Sequence, residues 1–155
     1  MKIIEPATAE ELQSYYRIRY EILRKPWNQP EQTTKDEWED KSIHLLMLDE
    51  SGEAIATGRL QLNDSDTGQI RSMAVVEGMQ SKGLGTQIIH KIEDKAKEKK
   101  LKKIILDARE EAVHFYEKNG YKVIGDSYLL FGTIKHYRME KELTSDQRIT
   151  NKKTN

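Results

Sequence analysis

The sequence predicts an α/β (α+β) protein with a mixed, mostly antiparallel central sheet flanked by helices. Three observations carry that prediction. Apolar runs at 43–49, 54–62 and 69–76 follow one another, with turn residues at 50–53 and 64–68 between them, the pattern of an antiparallel meander. From residue 69 onward the periodicity switches in the order strand, helix, strand, helix, strand, strand. At 155 residues without an internal repeat, the chain has the length of one domain able to bury a core, and that domain is expected over 1–143.

Taken in order, a short strand is expected at 2–5. Thr8 followed by Glu11 has the spacing of a capping box, and it opens a helix with the apolar stripe Leu12, Tyr15, Tyr16, Ile22 and Leu23, which Pro26 ends. Residues 25–41 hold Pro26, Trp27, Pro30 and Trp38 among polar neighbours, which predicts a loop with one helical turn, rimming a site. After the meander, Leu84, Ile88, Ile89, Ile92 and Ala96 recur on one face of a helix over 84–99. A strand at 103–107, a helix over 110–119 stopped by Gly120, and strands at 121–125 and 134–140 complete the domain. The tail 144–155 is polar and aperiodic, so disorder is expected.

Composition narrows the function classes. Lys plus Arg and Asp plus Glu are equal at 26 each, which argues against nucleic acid or a membrane surface as partner. The chain has no cysteine, so disulfides, thiolate metal sites and a cysteine nucleophile are excluded, and no metal is expected. Residues 1–6 have no signal-peptide core, and no run approaches the roughly 20 apolar residues that span a bilayer. A soluble, unprocessed, cytoplasmic protein is expected, with a homodimer left open.

Gln80-Ser81-Lys82-Gly83-Leu84-Gly85-Thr86 joins the strand end Met73-Ala74-Val75-Val76 to the long helix. Glycine permits close backbone approach, and the first turn of a helix presents free amides to an anion. Each such contact contributes about 0.3 to 1 kcal/mol, so several amides must act together, as a pyrophosphate allows. The same glycines would also serve a tight strand-to-helix turn, and Lys82 could meet a phosphate or solvent. A dinucleotide-binding unit would carry its glycines after the first strand of a βαβ unit, whereas three strands come first here, and no GxxxxGK[ST] motif occurs.

With Met73-Ala74-Val75 before them, Gln80, Gly83 and Gly85 resemble the Gln/Arg-x-x-Gly-x-Gly/Ala motif of the GNAT family of N-acetyltransferases. Downstream, Ala112-Val113-His114-Phe115-Tyr116-Glu117-Lys118-Asn119-Gly120-Tyr121 resembles that family's helix ending in Phe-Tyr-x-x-x-Gly-Phe/Tyr. The stretch 40–46 with His44, Gly58-Arg59-Leu60, and the stretch 132–139 with His136 are similar to the ElaA-like branch. The resemblance implies the GNAT acyl-CoA N-acyltransferase fold, acetyl-CoA as cosubstrate, and a primary amine of a small molecule or peptide that attacks the thioester directly. It implies that the amides from Gln80 through Ser81, Lys82, Gly83, Leu84, Gly85 and Thr86 bind pyrophosphate. The strand end at Met73, Ala74 and Val75 would pair with the pantetheine arm like an added strand.

Tyr116 falls at the family's general-acid position, where a phenol of pKa about 10 can donate to a departing thiolate whose acid lies near about 8.5. Without the motif, Tyr116 beside Phe115 would read as core. An alkylamine of pKa about 10.4 costs about 4.6 kcal/mol to deprotonate at pH 7, so a base or a water relay is required. Several family members carry a strand glutamate for this; the corresponding stretch here is Gln69-Ile70-Arg71-Ser72. His44 and His136 are the candidate replacements, ahead of Glu77, although each could equally be a hydrogen-bonded structural histidine. His90 and His114 are incidental on this reading. Glu111 stands where relatives have an asparagine, and a carboxylate near phosphate repels. The loop Val76-Glu77-Gly78-Met79 also departs from the family's common Asp-Pro-Glu-Tyr. Arg19, Arg24, Trp27 and Arg59 are candidates for the acceptor side, and Arg24 with Trp27 would suit a carboxylate-bearing or aromatic amine. The alternatives are a non-catalytic CoA-binding sensor or interaction module and, third, a nucleotide-binding protein of another fold.

Overall fold

Alternating apolar positions build seven strands, β1 (Lys2–Ile4), β2 (Ser42–Leu48), β3 (Ala54–Leu62), β4 (Thr67–Val75), β5 (Lys103–Arg109), β6 (Lys122–Leu130) and β7 (Ile134–Glu142). They form one sheet in the order β1-β2-β3-β4-β5-β7-β6. The computed structural model describes residues 1–143, so the expectation of a disordered tail at 144–155 lies outside the described residues. Every neighbouring pair is antiparallel except β4 and β5, and the expected meander is β2-β3-β4.

Helices α1 (Ala9–Leu23) and α2 (Leu84–Glu98) cover opposite faces, since α1 packs with Leu46 and α2 with its neighbours Leu45 and Met47. The capping box forms: Glu11 N donates to Thr8 Oγ1 at 3.1 Å and Thr8 N to Glu11 Oε1 at 3.2 Å. Through Tyr15 and Ile18, α1 packs on Leu46 and Ala74, while α2 buries Ile88, Ile89, Ile92 and Ala96 against the larger core with Leu60, Ile70, Ile104 and Met139. Full burial of each such aliphatic chain stabilises by about 1.5 to 3 kcal/mol, so this core anchors the sheet from which the site is built.

Three elements differ from expectation. The stretch 25–41 makes three 3-10 turns, Lys25–Trp27, Glu31–Thr34 and Glu39–Lys41, because Pro26 and Pro30 bar a continuous helix. The helix expected over 110–119 is a 3-10 turn, Glu110–Ala112, followed by α3 (Val113–Lys118). Strand β6 runs on past 125 to Leu130, through Gly125, Asp126 and Ser127, which are poor strand formers. Pairing with β7 carries them, with register slips at Val123/Gly125 and Asp126/Leu129.

Candidate active site

Strands β4 and β5 separate partway along their length. Their parallel pairing covers Thr67↔Lys103, Gly68↔Ile104 and Gln69↔Ile105 and stops there. Beyond that point β4 stays with β3 and β5 stays with β7, so the sheet divides into two halves. The cause lies in β4: Ser72 adopts φ 55°, and the β3–β4 register slips between Thr57 and Arg59. A bulge of this kind bends its strand, and Thr57 Oγ1 fixes it by donating to Ser72 O at 2.9 Å. A cleft of about 920 Å³ opens between the halves.

One wall is the loop that enters α2. Gly78, Ser81 and Gly83 have φ of 90°, 65° and 79°, which curls the backbone so that successive amides face one side. Among the described residues no amide from 80 to 86 finds an acceptor; the first bond into α2 runs from Gln87 N to Gly83 O at 3.2 Å. Unpartnered amides at a helix N-terminus fit a pyrophosphate. The two glycines have different reasons. Gly83 is required by its left-handed φ, whereas a Cβ at Gly85 would lie 2.9 Å from Phe115 Cζ, so Gly85 lets α2 sit against α3. Gln80 Nε2 ties the loop to the strand end by donating to Val75 O at 3.2 Å.

The expected site residues divide. Met73, Ala74, Val75, Gln80, Ser81, Gly83, Leu84, Gly85, Thr86, Tyr116 and His136 all line the cleft. Lys82 does not; its Nζ lies against Met79 Sδ at 4.0 Å. Tyr116 is buried, and its hydroxyl has no hydrogen-bond partner among the described residues. Burial pushes its phenol up to about 12, against a weaker pull downward from the Arg109 charge. His136 is 4% exposed and stacks on Tyr128 with ring centroids 4.6 Å apart and planes at 11°. Its Nδ1 must donate to Ile134 O at 2.9 Å, because a carbonyl only accepts, which leaves the Nε2 lone pair free when the ring is neutral.

His44 does not line the cleft, contrary to the expectation that it could serve as base. Its Nε2 donates to Glu39 O at 2.8 Å and its Nδ1 accepts from Tyr15 Oη at 2.7 Å, so both nitrogens are engaged under α1. Burial also pulls its pKa down. Arg59, fully buried, pairs with Asp36 at 2.8 Å and Glu39 at 2.6 Å, and Arg19 pairs with Glu39 at 2.7 Å. These contacts engage two of the three guanidiniums expected on the acceptor side, Arg19 and Arg59, and pin the loop 31–41 to α1 and β3. Burial works against ionisation of Glu39, but the hydrogen bonds and charge of Arg19, with help from Asp36 N and Arg59, hold it at about 2. Glu111 is exposed and lines the cleft.

Sequence reasoning missed Asp107. This carboxylate lines the cleft and accepts from Arg138 Nε at 2.7 Å, Ser127 Oγ at 2.7 Å and Gln69 Nε2 at 3.3 Å. It crosslinks β5, β7, β6 and β4 at the point where the sheet divides. An aspartate ending an apolar strand was the available signal; its partners lie far away in sequence.

Comparison with known proteins identifies the family. The chain belongs to the acetyltransferase (GNAT) family, whose pattern matches residues 10–121. It is an acetyl-CoA-dependent N-acetyltransferase. It is similar to the uncharacterized N-acetyltransferase YjcF of Bacillus subtilis (strain 168), with 30% identity over 142 residues, 92% of this chain and 100% of that protein. In fold it is similar to Escherichia coli ElaA, with a TM-score of 0.77 and 20% identity over 91% of this chain and 97% of that one. It is also similar to an aminoglycoside 6'-N-acetyltransferase solved in complex with coenzyme A, with a TM-score of 0.76 and 15% identity over 93% and 98% of the two chains. At these identities the two solved structures share the fold with this chain.

Proposed function

We propose that this protein transfers the acetyl group of acetyl-CoA to a primary amine of a small molecule or peptide, in the cytoplasm, by direct attack of the amine nitrogen on the thioester. The observation that carries this reading is the division of the sheet after Gln69 and Ile105, which opens a slot beside the free amides of residues 80–86. In this scheme the pyrophosphate sits on those amides, and the pantetheine arm lies along Met73, Ala74 and Val75, where β4 has lost its neighbour. Tyr116 donates a hydrogen bond to the sulfur as the C–S bond breaks. With its phenol at about 12, it is a poorer proton donor than an acid matched to the thiol by about 5 kcal/mol, so it stabilises the thiolate and need not lose its proton. The Nε2 of His136, directly or through one water, takes the proton that the amine sheds.

Isothermal titration with acetyl-CoA, and thiol release over a panel of amines, test the reading. Tyr116→Phe is expected to lower kcat by about 10²-fold, with the loss in kcat rather than in KM. The wild-type rate should show no loss to phenol ionisation below about pH 11, since the raised pKa keeps the proton in place. Failure to bind acetyl-CoA at millimolar ligand would remove the proposal.

A further inference from the structure

Arg24, Arg71 and Arg109 line the cleft, and among the described residues none of them meets a carboxylate. The contrast with their neighbours is sharp. Arg19 and Arg59 are neutralised by Glu39 and Asp36, and Asp107 is engaged by Arg138. Among the described residues the Arg24 side chain makes one hydrogen bond, from Nε to Thr33 O at 3.2 Å, which leaves the rest of its guanidinium open. Arg71 sits next to the bulge at Ser72 and directly opposite the buried Arg59 on β3, a juxtaposition of like charges.

The three cations come from three elements and converge on one place. The Arg24 guanidinium lies 5.8 Å from the Phe131 ring, in the β6–β7 turn, and that of Arg109 lies 5.6 Å from the Trp27 ring. Burial and the Asp107 charge raise the Tyr128 phenol, and the charges of Arg71, Arg24 and Arg109 each oppose that rise. Burial first, then the charges of Arg19 and Arg71, lower the Arg24 pKa, against weaker opposing pulls from Tyr128 and Asp36. Tyr128 is the ring on which His136 stacks. The pyrophosphate of the cosubstrate does not account for this cluster, because residues 72–75 separate Arg71 from the amide loop by on the order of 13 Å of strand.

We propose that the acceptor amine carries an anionic group, a carboxylate or a phosphate, held by Arg24, Arg71 and Arg109 beside Tyr128 and His136. The inference rests on the transferase reading above and deepens it. Guanidinium pairs recognise both anions in a forked geometry, and the same charges repel an acceptor that is itself polycationic.

Steady-state thiol release with pairs of amines that differ only in the anion tests it: an amino acid against its amide, phosphoethanolamine against ethanolamine, with spermidine and an aminoglycoside as polycationic probes. The anionic member is expected to have a kcat/KM at least about tenfold higher, the order associated with one charge-assisted hydrogen bond, and the better pair tells carboxylate from phosphate. Arg71→Gln and Arg24→Gln should each lower that preference by about tenfold through the KM of the acceptor, and Arg71→Lys should restore part of it. Thermal melting of each variant shows that it is folded. Equal use of paired amines, or preference for the polycations, overturns the inference and leaves the transferase reading intact. If no amine turns over, titration of the same pairs into the CoA-saturated protein still decides: selective, Arg71-dependent binding of the anionic member supports the anion site, equal or absent binding overturns it, and the lack of turnover counts against the transferase reading alone.

Discussion

Two histidines that look alike in sequence behave differently, because their ring nitrogens meet different partners. His44 bridges Tyr15 Oη and Glu39 O with both nitrogens, whereas His136, which lines the cleft, uses only Nδ1 among the described residues. His136→Asn is therefore expected to lower kcat for amine acetylation by about 10²-fold, in the range of a lost general base. His44→Ala should instead lower unfolding free energy by about 1 to 3 kcal/mol, since it leaves Tyr15 Oη and Glu39 O without partners. Urea unfolding and steady-state kinetics on the two variants check this division; a large kcat loss at His44 with unchanged stability would reverse the assignment. Tyr116 belongs to the same scale. Its ring is buried, and its hydroxyl, which has no hydrogen-bond partner among the described residues, is left available to a group that enters the cleft.

At the scale of elements, the loop 25–41 and the end of β4 decide the shape of the site. The loop is held by Glu39, which receives Arg19 and Arg59 and lies well below its ordinary 4.5, at about 2. A carboxylate depressed in the folded state contributes stability that is complete above its unfolded pKa and is lost as pH falls through its folded pKa. Between about pH 4.5 and pH 2, unfolding free energy should thus decline by on the order of 3 kcal/mol through this residue alone. Glu39→Gln should remove that part of the decline and cost about 3 to 5 kcal/mol at neutral pH, because two arginines remain buried without their shared partner. Denaturant midpoints measured across that pH range for both proteins test the sign and the window. The β4 end parts from β5 beyond Gln69 and Ile105, and the bulge at Ser72 supplies the means, which no local sequence rule marks: Ser72 is an ordinary polar residue whose positive φ goes with the register slip of β3 against β4.

At the scale of the molecule, the sheet is two pieces joined by a short parallel seam, and a ligand in the slot would bridge them. Acetyl-CoA at about 100 times its dissociation constant should stabilise the protein by about 2.7 kcal/mol and raise Tm by roughly 5 to 10 °C. Thermal melting with and without the ligand measures this, and an unchanged Tm would contradict a site built from both halves. The sequence by itself determined the features whose causes are close together in the chain. These are the capping box of Thr8 and Glu11, the apolar face of α2, the meander, the glycine loop before α2, and the Phe115-Tyr116 pair whose spacing from that loop marks the family. Periodicity, caps and φ preferences act over a few residues, so they can be read from one chain. Only the tertiary structure decided that His136 rather than His44 lines the cleft, that Arg19 and Arg59 are paired with carboxylates while Arg24, Arg71 and Arg109 are not among the described residues, and that Asp107 locks the seam. Each of those outcomes depends on which strands become neighbours and where a bulge falls, and these are set by packing between residues remote in sequence.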